Sequence, residues 1–234
     1  MGSKAWFRQR LEFLRSTKSY DFLTALPLIA WFGFSIRYQA PVLVQQISAT
    51  NFATADMAFI ASLAAKLSTL VFVGVFALLL VLRHKPQARI NGLYPRIAAM
   101  AGTYLGVGIV VMVPARELPA PVALLSTLLV LVSTAVSIYV VLWLGRSLSL
   151  LPEARRLVTR GPYSLVRHPL YLSEAVGLAG LMLQYFSPLA LAFAALQCLF
   201  QFERMKNEER VLSSTFPEYR SYMTTTARLV PGVY

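Results

Sequence analysis

Charge is what this 234-residue sequence has least of. Charged residues make up 14% of it, against about 25% in ordinary soluble domains, and the mean hydropathy is +0.60. That deficit argues against a water-soluble globular protein. Histidine and cysteine are scarcer still, with His84, His168 and Cys198 the complete set. One cysteine cannot close an intrachain disulfide. Cys198 falls in an apolar run and reads as a small buried hydrophobe. Without a Cys/His cluster at ligand spacing, no dedicated transition-metal site is expected. Strand-turn-helix context for a phosphate-binding glycine loop is missing too. Gly102, Gly106 and Gly108 lie inside an apolar run and read as points of close helix packing. No internal repeat or low-complexity tract stands out. The N-terminal segment lacks a small-residue cleavage site, and its first apolar run is too long for a signal peptide, so it reads as the start of a retained membrane protein. Trp6 occupies the position where a myristoylation signal wants Ser or Thr.

What the sequence does have is long apolar runs. Six of them fall at about 22–44, 57–82, 97–113, 122–144, 170–186 and 189–202. A bilayer core of ~30 Å needs about 20 helical residues. The expected fold is all-α: a polytopic transmembrane helical bundle of about six segments in one membrane domain, 1–234. Only Ser187 and Pro188 separate the last two runs, which predicts a tight helical hairpin followed by a cytoplasmic C-terminal helix. The chain divides into a basic head (1–21), N-terminal transmembrane helices (22–142) and a C-terminal core (143–234).

Basic residues then set the orientation. Lys4, Arg8, Arg10, Arg15 and Lys18 crowd the head, and Arg83, Lys85, Arg89 and Arg96 the loop 83–96. The loop 146–167 and the tail are basic as well. The connection 45–56 has no Lys or Arg, and 114–121 has only Arg116. The positive-inside rule places both termini, the loop 146–167 and the tail in the cytoplasm. The net charge of +12 thus reads as topology and attraction to anionic membrane lipids. Nucleic acid is not an expected partner, because no recognisable nucleic-acid module accompanies the charge. Lys66 and Arg37 lie at membrane depth, where ionisable residues are functional candidates, although both can snorkel. Oligomeric state is not legible.

Residues 161–174, GPYSLVRHPLYLSE, concentrate chemistry where an apolar run begins. Gly161-Pro162 marks a turn. Pro169 suits the first helical position, which leaves His168 just outside the helix. Tyr171 and Glu174 share a helical face, with Arg167 four residues before Tyr171. Free N–H groups at this helix start can take an anion such as a carboxylate. The plain alternative is a basic, aromatic membrane anchor. In the tail, ERMKNEERVLSSTFPEYRSYM, Arg204 and Glu208 are four apart, and Glu203, Asn207 and Arg210 form a second polar line. A solvated helix with weak salt bridges would look the same. The short hairpin, however, returns this helix to the membrane face of His168, so the two polar clusters can converge on one pocket.

These elements in order, LVTRGPYSLVRHPLYLSE, about thirty apolar residues, then NEERVL…FPEYRSY…RLVPG, resemble the isoprenylcysteine carboxyl methyltransferase family and the related phospholipid methyltransferases. The resemblance covers about 143–232. It implies an integral-membrane enzyme with S-adenosylmethionine as cofactor, held at the cytoplasmic face. Cofactor contacts carried over by position are Arg155, Arg156, Leu157, Val158, Tyr163, His168, Pro169, Leu170, Tyr171 and Glu208. Arg204 matches a position that contacts the methyl acceptor. The family's acidic run is often longer than Asn207-Glu208-Glu209, and Glu174 stands where several relatives have no acid. Arg204 could orient an acceptor carboxylate. Glu174 is the available base if the acceptor is an amine. The acceptor is expected to be lipophilic or amphiphilic and to enter from the bilayer: a prenylcysteine carboxylate, a lipid amine, or a small hydrophobic thiol or acid. The Ala-, Leu- and Arg-rich composition suggests a bacterial inner membrane. A small transporter, or a non-catalytic scaffold with a methyltransferase-like core, are readings of another class. The transporter predicts paired polar residues along several spans.

Overall fold

The computed structural model describes residues 17–90 and 92–232. Lys4, Arg8, Arg10 and Arg15 lie outside the described residues. Helices dominate: α1 (Lys18–Ala49), α2 (Met57–Leu82), α3 (Tyr94–Met112), α4 (Ala120–Leu144), α5 (Pro169–Gln184), α6 (Pro188–Thr215) and α7 (Glu218–Thr225). Their starts follow from local chemistry. The Thr17 side chain accepts from Tyr20 N–H before α1, Asp56 from Phe59 N–H before α2, and Ser187 from Ala190 N–H before α6, each satisfying a backbone donor that the helix leaves unpaired. Proline stands in the first turn of α3, α4, α5 and α6, where its missing N–H costs nothing.

Among the described residues, α1 to α4 are long and apolar enough to cross a membrane, and the protein is a polytopic integral-membrane helical bundle. Large apolar side chains such as Phe34, Leu78, Val111 and Leu142 are exposed on these helices, as lipid-facing positions require. The last two segments differ from the first four. With 16 residues, α5 is about 24 Å long at 1.5 Å per residue, short of a full bilayer core. α6 runs unbroken from its apolar start through the polar stretch to Thr215. Cys198, read as buried, is exposed on α6, because its neighbour Gln197 takes the inward position.

The packing corrects the expected tight hairpin. The turn between α5 and α6 is short, but the two helices touch each other little. Instead α1 packs on α2, α2 on α4, and α4 on α5, while α3 and α6 form a separate pair. Small residues explain the choice of partners. A Cβ on Gly106 would lie 2.9 Å from Gln197 of α6, and one on Gly102 would lie 3.5 Å from the α6 backbone. On the other side, Gly177 and Gly180 of α5 meet Ser133 and the Ser126 carbonyl of α4 at 2.5 and 3.0 Å on the same construction. Ser126 Oγ donates to Gly180 O and Ser133 Oγ to Ser173 O, both at 2.7 Å. Small faces with interhelical hydrogen bonds are what hold helices together in lipid, where no hydrophobic force separates protein from solvent. α5 and α6 therefore diverge, each drawn to a better partner, and a cavity opens between the layer α1-α2-α4-α5 and the pair α3-α6.

One end of the bundle is locked by ions. Asp21 at the start of α1 accepts from Arg83, Arg89 and Arg155, at 2.9, 2.8 and 2.9 Å. Glu153 pairs with Arg89 at 3.0 Å and with Arg155. The two-residue strands β1 (Ala88–Arg89) and β2 (Glu153–Ala154) pair antiparallel there. Basic residues that read as topology signals are thus also buried structural members of a five-residue cluster. Lys66, by contrast, is exposed, and its Nζ donates to Gln46 Oε1 at 3.0 Å.

Candidate active site

A cavity of about 600 Å³ lies between the two layers. Its apolar part is lined by Trp31, Phe72, Phe76, Val107, Val110 and Leu181. Its polar end is lined by Arg156, Tyr163, His168, Tyr171, Arg204 and Glu208. Trp31 of α1 meets Tyr104 of α3 edge-on at 6.5 Å along one side.

The polar end is built from the start of α5 and the middle of α6. Gly161 makes the entry turn at φ +62°, in the left-handed region that glycine favours; a Cβ there would sit 2.6 Å from the Trp143 ring. Pro169 opens α5, and His168 is the residue before it, with no side-chain cap. The first N–H groups of α5 are accordingly not capped by a side chain. Tyr171, in the first turn of α5, donates its hydroxyl to Glu208 Oε1. Its ring carries the Arg204 guanidinium at 4.9 Å and lies 5.3 Å from the His168 ring. Arg204 Nε approaches Glu208 Oε1 at 3.4 Å, and Nη1 donates to Thr103 Oγ1 at 3.0 Å. Arg204 is only 3% exposed, yet its Nε has no hydrogen-bond partner. Glu208 Oε2 stands 3.9 Å from His168 Nδ1. Burial, reinforced by the nearby Glu208 charge, raises the Tyr163 hydroxyl well above its ordinary value, so it stays a donor. Tyr222, whose hydroxyl donates to Tyr163 O, is pushed up to about 12, chiefly by burial.

Behind His168 stands Glu209. It accepts from Arg167 Nε at 2.9 Å, faces His168 Nε2 at 3.2 Å, and binds Arg228 at 3.0 and 2.6 Å. Burial opposes its charge, but hydrogen bonds from His168 and Arg228 and the charges of His168 and Arg167 overcome this and hold its carboxyl at about 2. The arrangement ties the tail to the site. Arg167 N–H donates to Ala227 O at 2.8 Å, His168 N–H to Arg228 O at 3.1 Å, and Arg167 Nη1 to the carbonyls of Met223 and Thr226 at 2.7 and 2.8 Å.

Nearly all the sequence-predicted site residues come together. Arg155, Arg156, Leu157, Val158, Tyr163, His168, Leu170, Tyr171, Glu174, Arg204 and Glu208 all line the cavity, while Pro169 is buried beside it as the first residue of α5. Arg155 differs in kind from the rest. It is 2% exposed, and its guanidinium is occupied by Asp21, Glu153 and the His84 carbonyl. Glu174 Oε2 accepts from Gln201 Nε2. The Glu209 cluster was not foreseen, nor was the Asp21 cluster. Among the described residues, no group of three or more His, Cys, Asp or Glu side chains could hold a metal.

Comparison with known proteins adds relatives. The cobalt-zinc-cadmium resistance protein CzcN of Cupriavidus metallidurans is 41% identical over 80 residues, covering 32% of this chain and 35% of that protein. The nickel-cobalt-cadmium resistance protein NccN of Alcaligenes xylosoxydans xylosoxydans is 37% identical over 84 residues, covering 34% and 38%. The similarity thus spans little more than a third of either relative. The sequence model of the isoprenylcysteine carboxyl methyltransferase family matches residues 124–214, a stretch running from α4 through α5 to the end of α6, which begins earlier and ends earlier than the motifs suggested. Over these residues, which contribute His168, Tyr171, Arg204 and Glu208 to the cavity, the chain is a match to the isoprenylcysteine carboxyl methyltransferase family.

Proposed function

We propose that this protein is an S-adenosylmethionine-dependent methyltransferase whose polar cavity end faces the cytoplasm and whose acceptor is an amphiphile drawn from the bilayer. The observation that carries the reading is Arg204: a buried guanidinium whose Nε is held only by a 3.4 Å ion pair with Glu208 and makes no hydrogen bond, lining a cavity whose other part is apolar. A buried donor without a hydrogen bond costs up to about 1–3 kcal/mol, less where an ion pair compensates in part. An acceptor carboxylate would remove that cost and match the planar fork of arginine.

The residues present fit the cofactor. The uncapped start of α5 suits a carboxylate. The Tyr163 and Tyr171 rings suit a sulfonium or an adenine. Oε2 of Glu208 is available to accept from ribose hydroxyls or the cofactor amine. Bound there, the cofactor would supply an activated methyl on its sulfonium. The protein's part is positioning: Arg204 orients the acceptor oxygen, Tyr171 and Glu208 fix the Arg204 side chain, and the buried walls exclude water. Holding reactants near attack geometry is the larger share of such catalysis. A carboxylate needs no base. An amine would have to lose a proton, for which Glu174 is the group at hand.

The test is transfer of radiolabelled methyl from S-adenosylmethionine into the lipid extract of membranes containing the protein. A carboxyl methyl ester releases its label as methanol in base, whereas an N-methyl or S-methyl product does not. Base-labile label that disappears in Arg204→Ala supports the reading. Label that is base-stable, or unchanged in Arg204→Ala, refutes carboxyl methylation at Arg204.

A further inference from the structure

His168 turns its two ring nitrogens to two different carboxylates. Nε2 faces Glu209 Oε1 at 3.2 Å, and Nδ1 faces Glu208 Oε2 at 3.9 Å. The first separation is that of a hydrogen bond and the second is too long for one. The side chain is 5% exposed and its ring lies against that of Tyr171, so it has little room to turn over.

Glu209 decides which nitrogen carries the hydrogen. It accepts from Arg167 Nε at 2.9 Å and from Arg228 at 3.0 and 2.6 Å, and its carboxyl is held at about 2. At neutral pH it is a carboxylate, which accepts and has no hydrogen to give. The hydrogen between Glu209 and His168 is therefore carried by Nε2. In the neutral ring the lone pair then stays on Nδ1. Three guanidiniums, of Arg167, Arg204 and Arg228, already face the two carboxylates Glu208 and Glu209, so the cluster does not call for a second hydrogen on the ring.

Nδ1 and Glu208 Oε2 are then two acceptors side by side, and both residues line the cavity. Among the described residues, neither atom makes a hydrogen bond. Neither is one of the sealed polar atoms without a partner either, so each keeps surface that a ligand can reach. One nitrogen bearing two hydrogens can bridge acceptors 3.9 Å apart, at about 2.9 Å from each. A ribose hydroxyl has one hydrogen and serves only one of them.

We propose that Glu209 is a positioning residue: it fixes His168 as the Nε2–H tautomer, so that Nδ1 and Glu208 Oε2 together take an amino or ammonium group of the cofactor. The inference rests on the methyltransferase reading for the identity of that ligand and adds how the site is set to receive it. The cofactor has two nitrogens of this kind, the α-ammonium of its amino-acid end and the adenine amine.

The test is nuclear magnetic resonance of the full-length protein labelled with isotopic nitrogen in histidine. The chain has two histidines, and His84→Gln assigns them. Without ligand at neutral pH, His168 should show a bare Nδ1 and a protonated Nε2, widely separated. S-adenosylmethionine should shift Nδ1 and leave Nε2 in place. Methylthioadenosine keeps the adenine amine and lacks the amino-acid end. A shift with both ligands assigns the adenine amine, and a shift with S-adenosylmethionine alone assigns the α-ammonium. In Glu209→Gln, whose amide can accept or donate, the two nitrogens should draw together as tautomers mix, and cofactor affinity should fall roughly three- to tenfold, the range of one hydrogen bond. Arg228→Gln loosens the same tail but keeps Glu209 on the ring, so the tautomer should stay as in wild type. An Nδ1–H tautomer or a doubly protonated ring in the wild-type protein overturns the proposal without need of any variant. So does an unchanged tautomer with full affinity in Glu209→Gln, or equal mixing in Arg228→Gln. Calorimetry on the same sample separates the two readings. If the cofactor binds and Nδ1 does not move, only this role of Glu209 and His168 falls. If the cofactor does not bind, the methyltransferase reading falls and takes this inference with it.

Discussion

Replacing Glu209 by alanine should loosen the tail and the site together. The structure places three cationic or protonatable groups on this one carboxylate: Arg167, His168 and Arg228. Without it, two guanidiniums and an imidazole are left facing one another in a largely buried cluster. Removing one member of a buried ion pair costs about 3–5 kcal/mol. The carboxyl itself gives a similar figure, since holding it at about 2 rather than 4.5 corresponds to about 3 kcal/mol of preference for the charged form. For a chain of this size, 1 kcal/mol moves the melting temperature by about 2–4 °C. The Glu209→Ala protein in detergent should therefore melt roughly 6–12 °C lower. Limited proteolysis should also cut the segment near Ala227 and Arg228 first, because its backbone contacts run through Arg167 and His168. The same carboxylate has a pH signature. Its value is depressed in the folded state, so its contribution is complete above about 4.5 and is lost as pH falls toward about 2. The wild-type melting temperature should fall through that window, and Glu209→Gln should flatten the fall. A melting point within 2 °C of wild type, with no faster tail cleavage, would refute this reasoning.

Other perturbations test the frame around the site. Gly161→Ala combines a positive φ with a 2.6 Å approach to Trp143; it should destabilise the fold by about 1–3 kcal/mol, read as a lower melting temperature. Asp21→Asn should leave Arg83, Arg89 and Arg155 without their shared counter-charge and cost about 3–5 kcal/mol, more than Lys66→Met, whose exposed pair with Gln46 should be worth under about 1 kcal/mol. Gly180→Leu would drive its side chain into the Ser126 carbonyl and Val130; the separation of α4 from α5 should show as weaker cysteine cross-linking between a Cys-substituted pair of positions on α4 and α5. Tyr171→Phe removes the hydroxyl that Glu208 accepts and keeps the ring under Arg204; cofactor affinity should weaken about three- to tenfold while the melting temperature changes little.

Much of the architecture was legible because it depends on local pattern. Uninterrupted apolar runs marked the helices, Pro169 marked the start of α5, and the glycines at 102, 106 and 108 marked the face on which α6 packs. The convergence of His168 and Tyr171 with Arg204 and Glu208 was legible too, since a short connection has to return α6 to the same end. What could not be read is long-range charge pairing. Asp21 meets Arg155 across 134 residues, and Glu209 meets His168 across 41; no periodicity links such positions. The positive-inside pattern hid the first of these, because arginines in a short basic loop need no further explanation. An isolated acid at the head of the first span was the available signal, and Asp21 is that acid. The splaying of α5 from α6 was also beyond the pattern. It arises from a competition between small-residue faces, Gly177 and Gly180 toward α4 and Gly102 and Gly106 toward α6, that only the packed bundle reveals.

S-adenosylmethionine is proposed to bind at the polar end of the cavity. The decisive measurement is calorimetric titration of the purified full-length protein with that cofactor, beside the double variant His168→Ala, Glu208→Ala. The wild-type protein should bind it saturably in the micromolar range, and the double variant should lose that binding while keeping its helical content. Absence of binding by folded wild-type protein, or equal binding by the double variant, would contradict it.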